Sequence, residues 1–264
     1  MRRKILIIDD QDDLASALDS AFSATGHKVT IAHSREEALE IDNLTGFDLV
    51  ITDLDVENVE IPKPTEEKYA CLPKIPPVLG HVKAFKFCAA NFRRDEFNED
   101  ELLNFVETVL NYKIRFVDTE EFVRDLHEKI EFEIPSAITP MQSILDYLMK
   151  RVEKVGVIRP EKSNLFVALD EAFVNAVKHG NKFNAQKLVK ISAEISSQQA
   201  RFTIEDEGEG FDMNAIPDPL DPENLFKSSG RGVLFIYNIM DEVQYNERGN
   251  QLTMIKKRDT EDRA

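Results

Sequence analysis

The sequence contains little cysteine: two residues, Cys71 and Cys88, in a chain of 264. Their spacing matches no metal-binding motif. A fold held together by several disulfides, the pattern of small secreted domains, is therefore excluded. We expect reduced thiols and a cytoplasmic protein.

A long apolar run is also missing at the start of the chain. The segment MRRKILIIDD begins with basic residues, as a signal peptide does, but its apolar stretch ends after four residues at Asp9. A signal core or a membrane span needs a much longer run. We expect a soluble protein without a membrane segment.

Basic residues are a minority, with 33 Lys and Arg against 49 Asp and Glu and a formal net charge of −16. Phosphate backbones and anionic lipid heads repel such a chain, which argues against nucleic-acid and membrane binding. A protein partner with a basic surface remains possible. The hydrophobic content of 42% is enough for ordinary cores, and the length suits two domains.

The first part of the chain alternates strands with helices. Strands are predicted at 4–8, 28–32 and 48–52, and helices at 12–25, 35–41 and 98–111. This alternation is typical of an α/β doubly wound parallel sheet, which we assign to residues 1–115. From Val56 to Pro77 no helical period is visible. Residues 116–129 are predicted to form a linker with a connecting helix.

A different pattern occupies residues 130–264. Apolar and acidic residues alternate at 130–134, which predicts a half-buried strand. Helices are predicted at about 139–154, 161–180 and 231–240, and strands at 187–196, 200–205, 242–246 and 251–257. Helices over a mostly antiparallel sheet make an α+β sandwich.

The predicted helix 161–180 contains the stretch EAFVNAVKHGN. Glu171, Asn175 and His179 stand four residues apart in it, and the helical repeat places all three along one stripe. The stripe is either a solvated helix face or the wall of a site. Spacing alone does not decide between the two.

Two glycine-containing motifs follow. Asp206, Gly208 and Gly210 end a predicted strand in IEDEGEGFD; glycines there let a ligand approach the backbone, and Asp accepts a hydrogen bond from an exocyclic amine. Gly230 and Gly232, in SSGRGVLFIYNIMDEV, precede a predicted helix whose free N–H groups suit phosphates. Each motif alone is weak evidence for a nucleotide site. Their occurrence in a fixed order after the Glu171, Asn175 and His179 stripe strengthens that evidence.

Together the motifs resemble those of the GHKL, or Bergerat-fold, ATP-binding superfamily. Glu171, Asn175 and His179 match its N-box. The two glycine motifs match its glycine boxes, and Thr253, in GNQLTMIKK, fits the strand that closes the adenine pocket. Within the superfamily, IEFEIPSA and PDPLDPENLFKSSGRGVLFIYNIMDEV most resemble the anti-sigma factor serine kinases.

The resemblance implies that ATP and Mg²⁺ bind in this domain. Asn175 would hold Mg²⁺, Asp206 would bind the adenine amino group with support from Thr253, and Glu171 would be the general base toward a serine hydroxyl. The nucleotide-binding set also contains residues of the pocket wall and lid, namely His179, Gly208, Gly210, Ser229, Gly230, Arg231 and Gly232.

The same resemblance implies partners. The related kinases phosphorylate a serine on a small antagonist protein and sequester a sigma factor when the antagonist is modified. We therefore expect an anti-sigma-factor antagonist, a sigma factor or both as partners. A homodimer is also expected, because the related kinases pair through this domain.

Two alternatives stay open. The domain can bind ATP and grip a sigma factor or an antagonist without catalysis. A histidine kinase would instead need a phospho-accepting histidine, and His127 is the nearby candidate. It stands immediately before a predicted strand, with no room for a dimerisation bundle.

The carboxylates of the first domain resemble the phosphorylation site of response-regulator receiver domains, across residues 3–112. Asp9 and Asp10 end the first predicted strand and Asp53 ends the third. Such ends meet at one edge of a parallel sheet, where clustered carboxylates suit Mg²⁺. The resemblance implies Asp53 as phospho-acceptor and an upstream histidine kinase as a partner.

The sequence also departs from the receiver pattern. Asp95 stands where a lysine that neutralises the phosphoryl group is expected, and His81 stands where Ser or Thr is expected. An acidic residue there would repel an aspartyl phosphate. A shifted alignment would bring one of three other cations to the position: Lys83, Lys86 or Arg94. Either Asp53 is phosphorylated, or the domain is a docking or dimerisation module.

Overall fold

Two units make up the structure, a computed structural model: Met1–Pro135 and Ser136–Ala264. The described residues are 2–41, 43–57, 71–73, 81–94, 98–118, 127–159, 163–211 and 231–258. Asp95 and the loop predicted at 212–229 lie outside them. The connecting helix was predicted at 119–129; residues 119–126 lie outside the described ranges, and residues 127–129 form the start of a strand rather than a helix.

The first unit is a five-stranded sheet with helices. Its elements are β1 (Lys4–Asp9), α1 (Ala15–Ala24), β2 (Lys28–Ala32), α2 (Arg35–Glu40), β3 (Leu49–Glu57), β4 (His81–Cys88), α3 (Glu99–Tyr112) and β5 (His127–Pro135). The strand order is β2-β1-β3-β4-β5. The apolar run of β1 is fully buried from Ile5 to Ile8, as expected for a central parallel strand. Phe22 of α1 packs on Phe105 of α3, with ring centroids 5.3 Å apart.

Strand direction changes halfway across this sheet. β1 pairs in parallel with β2 and with β3, as predicted, but β4 runs antiparallel to β3 and β5 runs parallel to β4. The prediction of an all-parallel doubly wound sheet is therefore wrong from β4 onward. A parallel return to the sheet needs a crossover, usually a helix, and the sequence from Val56 to Pro77 has no helical period.

The strand predicted at 130–134 lies in β5 and belongs to the first unit, although the sequence pattern places it in the second domain. It is buried from Glu128 to Pro135, so the prediction of a half-buried strand is wrong. Its acidic residues tolerate burial because they have basic partners. Lys86 Nζ lies 3.4 Å from Glu133 Oε2, and Lys129 Nζ lies 3.7 Å from Glu131 Oε1.

The second unit confirms the predicted α+β sandwich. Its elements are α4 (Met141–Val155), α5 (Leu165–Asn175), β6 (Leu188–Ile195), β7 (Gln199–Asp206), α6 (Arg231–Ile239), β8 (Glu242–Tyr245) and β9 (Gln251–Lys257). The strand order β6-β7-β9-β8 is antiparallel throughout. Alternate residues of β7 (Ala200, Phe202 and Ile204) are buried, α4 contacts β6 and α5, and α5 contacts α6.

The helices throughout the described ranges are too short or too polar to cross a bilayer.

Candidate active site

A cavity of about 410 Å³ opens in the second unit, between the end of α5, the end of β7, the start of α6 and the β8–β9 hairpin. This volume lies in the range of small-molecule sites, about 300–1,000 Å³. Six residues predicted from the sequence line it: Glu171, Asn175, His179, Asp206, Gly210 and Gly232.

The helical stripe forms one wall of this cavity. The opposite side of α5 is buried through Leu165, Leu169 and Phe173, which turns Glu171 and Asn175 toward the opening. Beyond Asn175 the helix continues as a π-helical turn, Ala176–Gly180, which contains His179. Such turns insert one residue per turn and are frequent at functional sites.

The π-helical turn brings α5 against the end of β7. Gly180 lies so close to β7 that a Cβ added there would overlap the carboxylate of Asp206, so only glycine fits. Asn181, which is buried, fastens the junction: its Oδ1 accepts from Glu207 N at 2.9 Å and its Nδ2 donates to Leu188 O at 2.9 Å. The helix end and the carboxylate are thus held as one structure.

Asp206 is fixed from several sides. Its Oδ1 accepts a hydrogen bond from Gly208 N at 2.7 Å. Asn250 Nδ2 donates to Asp206 O at 2.7 Å, and Asp206 N donates to Asn250 O at 3.0 Å. Burial raises the pKa of Asp206, and the hydrogen bond from Gly208 opposes this. A partly desolvated, rigid carboxylate is suited to accept a hydrogen bond from an amine in the cavity.

The opposite wall is formed by the first turn of α6 and by two aromatic rings. A Cβ at Gly232 would overlap Glu171 Oε1, so the glycine lets the backbone of α6 approach this carboxylate. Phe211 and Tyr245 meet edge to face, with centroids 5.1 Å apart. Burial, with smaller effects from Tyr237 and Glu171, raises the pKa of Tyr245 to about 12, so its hydroxyl stays protonated at neutral pH.

Two predicted residues do not line the cavity. Gly208 is outside the lining, and its carbonyl accepts a hydrogen bond from Arg248 Nη2 at 2.7 Å. Thr253 lies one residue beyond Leu252, which does line the cavity, and successive side chains of a strand point to opposite faces. The Thr253 hydroxyl is 3.4 Å from that of Thr203 on the neighbouring strand. Its role as support for an adenine contact stays a prediction.

Three other predicted residues fall partly or wholly outside the described residues. Ser229 and Gly230 precede the first described residue of α6, and the side chain of Arg231 is not described.

Sequence reasoning missed several lining residues. Phe211, Tyr245 and Asn250 come from loops or strand ends, where no periodic pattern marks them. The turn composition of YNERGNQ was the available signal for Asn250, since Asn and Gly favour turns. Lys182 also lines the cavity. Its φ of 55° is a left-handed backbone conformation, which no sequence motif predicted.

In the first unit Asp53 pairs with a lysine that sequence reasoning also missed. Lys113 Nζ donates to Asp53 Oδ1 at 2.9 Å and to Oδ2 at 2.8 Å, and lies 3.5 Å from Asp118 Oδ1. Burial raises the pKa of Asp53 to about 6, and Lys113 opposes this shift. Lys113 begins the π-helical turn that follows α3 and continues the buried stripe of Val106 and Val109. This helical spacing was the signal available in the sequence.

The proposed alternatives to that lysine have other partners or are not described. Lys86 pairs with Glu133, and the side chain of Arg94 is not described. Lys83 stands opposite Asp55 in the β3–β4 register, where Phe85 is opposite Asp53. His81, predicted at the Ser or Thr position, has its Nε2 3.5 Å from Asp55 Oδ1. The positive charge beside Asp53 therefore comes from Lys113.

The carboxylates expected to bind Mg²⁺ in the first unit are engaged by the protein. Asp9 Oδ2 accepts from Leu14 N at 2.9 Å and from Ala15 N at 2.8 Å. Asp10 Oδ2 accepts from Asp55 N at 3.0 Å. Across the described ranges, no three His, Cys, Asp or Glu side chains are grouped to hold a metal ion. The assignment of Mg²⁺ to Asp9, Asp10 and Asp53 stays a prediction.

His127, the phospho-acceptor of the histidine-kinase alternative, is the first residue of β5. It stands in register with Val82 of β4 and is partly buried. This strand position differs from the dimerisation helix that such an acceptor requires.

Comparison with known proteins relates the second half of the chain to a family of ATPase domains and to serine-protein kinases. The profile of the histidine kinase-like ATPase domain family matches residues 134–256. The serine-protein kinase RsbW of Staphylococcus epidermidis is 33% identical over 142 residues, which cover 44% of this chain and 89% of that protein. The serine-protein kinase RsbW of Staphylococcus aureus strain JH9 is 29% identical over 135 residues, which cover 48% and 85%.

Proposed function

Through its C-terminal half the chain belongs to the family of the serine-protein kinases RsbW, built on a histidine kinase-like ATPase domain, and we propose that it transfers the γ-phosphoryl group of ATP to a serine on a partner protein. The observation that carries the proposal is one cavity lined by Glu171, Asn175 and Asp206. These three side chains supply a base, an oxygen ligand and an amine acceptor.

Adenine recognition is assigned to Asp206. Its partly buried carboxylate, held by Asn250 and Gly208, accepts a hydrogen bond from the exocyclic amine of the base. The rings of Phe211 and Tyr245 provide apolar surface within the same cavity. Guanine presents a carbonyl where adenine presents the amine, so this arrangement favours ATP over GTP.

Phosphoryl transfer is assigned to the stripe of α5. Mg²⁺ usually keeps several waters and binds through few protein oxygens together with the phosphates, and the Asn175 amide oxygen fits that requirement. The bound ion would neutralise phosphate charge. Glu171 accepts the proton of the serine hydroxyl as its oxygen bonds to the γ-phosphorus, while the bond to the β–γ bridging oxygen breaks and ADP leaves.

The partner is proposed to be an anti-sigma-factor antagonist, with a sigma factor as the second protein bound by a homodimeric kinase. The net charge of −16 favours partner surfaces that are basic. The first unit is proposed to regulate the kinase, as a receiver-like or docking module.

Labelled ATP tests the proposal. The full chain, mixed with γ-labelled ATP, Mg²⁺ and the antagonist, is expected to yield phosphoserine on the antagonist. ATP binding without any label on the antagonist would contradict the kinase assignment.

A second candidate function is an ATP-dependent binding module without catalysis. It is favoured by the contact between Glu171 Oε1 and the first turn of α6, because a carboxylate there also stabilises the free N–H groups of a helix start. Glu171→Ala separates the two functions. If neither the wild type nor the variant transfers phosphate and both capture the partner equally, the binding module is supported.

A further inference from the structure

The two cysteines of the chain lie side by side in the first unit. Cys71 and Cys88 are 17 positions apart in the sequence, and their Sγ atoms are 3.0 Å apart. Neither cysteine forms a disulfide in the structure. A disulfide bond is about 2 Å long, so closing one here requires an approach of about 1 Å.

Packing holds the pair in place. Cys88 is the last residue of β4 and is only 2% exposed, within an apolar cluster that includes Leu72 and Leu54. Cys71 packs against that cluster and is partly exposed. The two thiols are therefore kept in contact by the core, while one of them stays accessible to a small reagent.

Charged groups surround the two sulfurs. Lys86 Nζ lies 3.5 Å from Leu72 O, next to Cys71 in the chain. Glu133 Oε2, the partner of Lys86, lies 4.0 Å from Cys88 Sγ. The hydrogen bond with Cys71, together with burial, raises the pKa of the Cys88 thiol. Cys71 is consequently the sulfur that a small oxidant reaches first, and Cys88 is placed to resolve the product.

We propose that Cys71 and Cys88 are a redox modification site, at which a peroxide converts the two thiols to an intramolecular disulfide. The proposal concerns the first unit and does not depend on the kinase function of the second.

The chemistry takes two steps. The Cys71 sulfur attacks one peroxide oxygen, the O–O bond breaks, and the thiol proton leaves with the other oxygen as water. The Cys88 sulfur then attacks the resulting sulfenic sulfur. The S–S bond forms, the S–O bond breaks, and the hydroxyl leaves with the Cys88 proton as a second water. Two thiols lose two electrons, and one peroxide is reduced to two waters.

The product would link residues 71–73 covalently to the end of β4. Such a link restricts the unfolded chain and so stabilises the first unit. Oxidation is therefore expected to raise the unfolding temperature of the first unit.

The test uses the full chain and hydrogen peroxide in small molar excess, followed by alkylation and intact mass measurement. We expect both thiols to be lost together, with a mass decrease of about 2 Da for the two hydrogens, and to return with dithiothreitol. Either stable sulfinic acid on Cys71 or disulfide-linked pairs of chains as the main product would overturn the proposal.

Matched variants separate the two sulfurs. In Cys88→Ala, Cys71 is expected to accumulate as a sulfenic acid that dimedone traps. In Cys71→Ser, the buried Cys88 is expected to react with peroxide at least about tenfold more slowly than Cys71 does in Cys88→Ala. Oxidation should raise the unfolding temperature of the wild type but of neither variant. Equal reaction rates for the two cysteines, or a rise in either variant, would contradict the assignment.

Discussion

The carboxylate of Asp206 sits at the end of β7 with its pKa raised by burial, and its backbone is tied to Asn250 in both directions. A rigid carboxylate of this kind contributes binding energy without reorganising when the ligand arrives. Its role therefore has a direct consequence for nucleotide affinity.

Asp206→Asn keeps the size of the side chain and removes its charge. We expect ATP affinity to fall by about 10- to 100-fold, because a hydrogen bond to a charged group contributes about 1.5–3 kcal/mol. Glu205→Gln is the matched control, because Glu205 does not line the cavity. Its carboxylate accepts a hydrogen bond from Gln251 Nε2. Calorimetric titration with ATP measures both. Equal affinities in the two variants would contradict the role of Asp206.

Asp53 makes stability depend on pH. Its pKa is raised to about 6, so its contribution to folding is present below about pH 4 and is lost as the pH rises to about 6. The shift corresponds to about 3 kcal/mol. Asp53→Asn does not titrate, so its first unit should lose less stability over this range than the wild type. Hydrogen exchange of β3 peptides at increasing urea concentration measures the stability of the first unit at each pH. If the wild type and Asp53→Asn lost the same stability between about pH 4 and about pH 6, the role of Asp53 would be refuted.

Lys113 neutralises two buried carboxylates, Asp53 and Asp118. Lys113→Met leaves them without the ammonium, and removing one partner of a buried ion pair costs about 3–5 kcal/mol. We expect that loss in the unfolding free energy of the first unit, with partial recovery when Asp53→Asn is added. Lys28→Met, at an exposed position of β2, is the control. If Lys113→Met were as stable as Lys28→Met, the ion pair between Lys113 and Asp53 would not contribute to stability.

The β8–β9 hairpin is the element that positions Asp206. Its turn residue Asn250 is buried and bonds the Asp206 carbonyl without belonging to the predicted set. Asn250→Ala is expected to raise the KM for ATP about 5- to 10-fold and to leave kcat within about twofold. Gln198→Ala, in the exposed turn of the β6–β7 hairpin, should change neither. A fall in kcat alone would contradict a positioning role.

The strands β1 to β3 were predicted from the sequence, but neither the strand β4 nor its direction was predicted. The apolar run Ile5–Ile8 identified a buried central strand because burial on both faces leaves a continuous pattern. The direction of β4 cannot be inferred from its residues, because an apolar strand has the same pattern whether it pairs in parallel or antiparallel. Lys113 was missed because a lysine at a helix end usually lies in water. Only its helical spacing from Val106 and Val109, on the buried side of α3, distinguishes it.

The candidate site was predictable where helix geometry governs it. Glu171 and Asn175 line the cavity because residues four apart share a helix face. Thr253 does not line the cavity, because a single step along a strand turns a side chain to the opposite face. Phe211 and Tyr245 meet only through tertiary folding.

The family assignment applies to one half of the molecule. The matched residues are 134–256, and the first unit, with its mixed sheet and its Asp53–Lys113 pair, lies almost wholly outside them. Under the proposed function the second unit acts on the partner protein, and the first unit regulates it.

The central claim is that Glu171 takes the proton of a serine hydroxyl. The most direct test is the single-turnover rate of phosphate transfer from ATP to the antagonist by Glu171→Gln. Asp170→Asn serves as the control, because Asp170 is the adjacent carboxylate on α5 and does not line the cavity. With ATP affinity unchanged in both, we predict a rate about 10²- to 10⁴-fold lower in Glu171→Gln and a wild-type rate in Asp170→Asn. Transfer by Glu171→Gln at the wild-type rate would contradict the account.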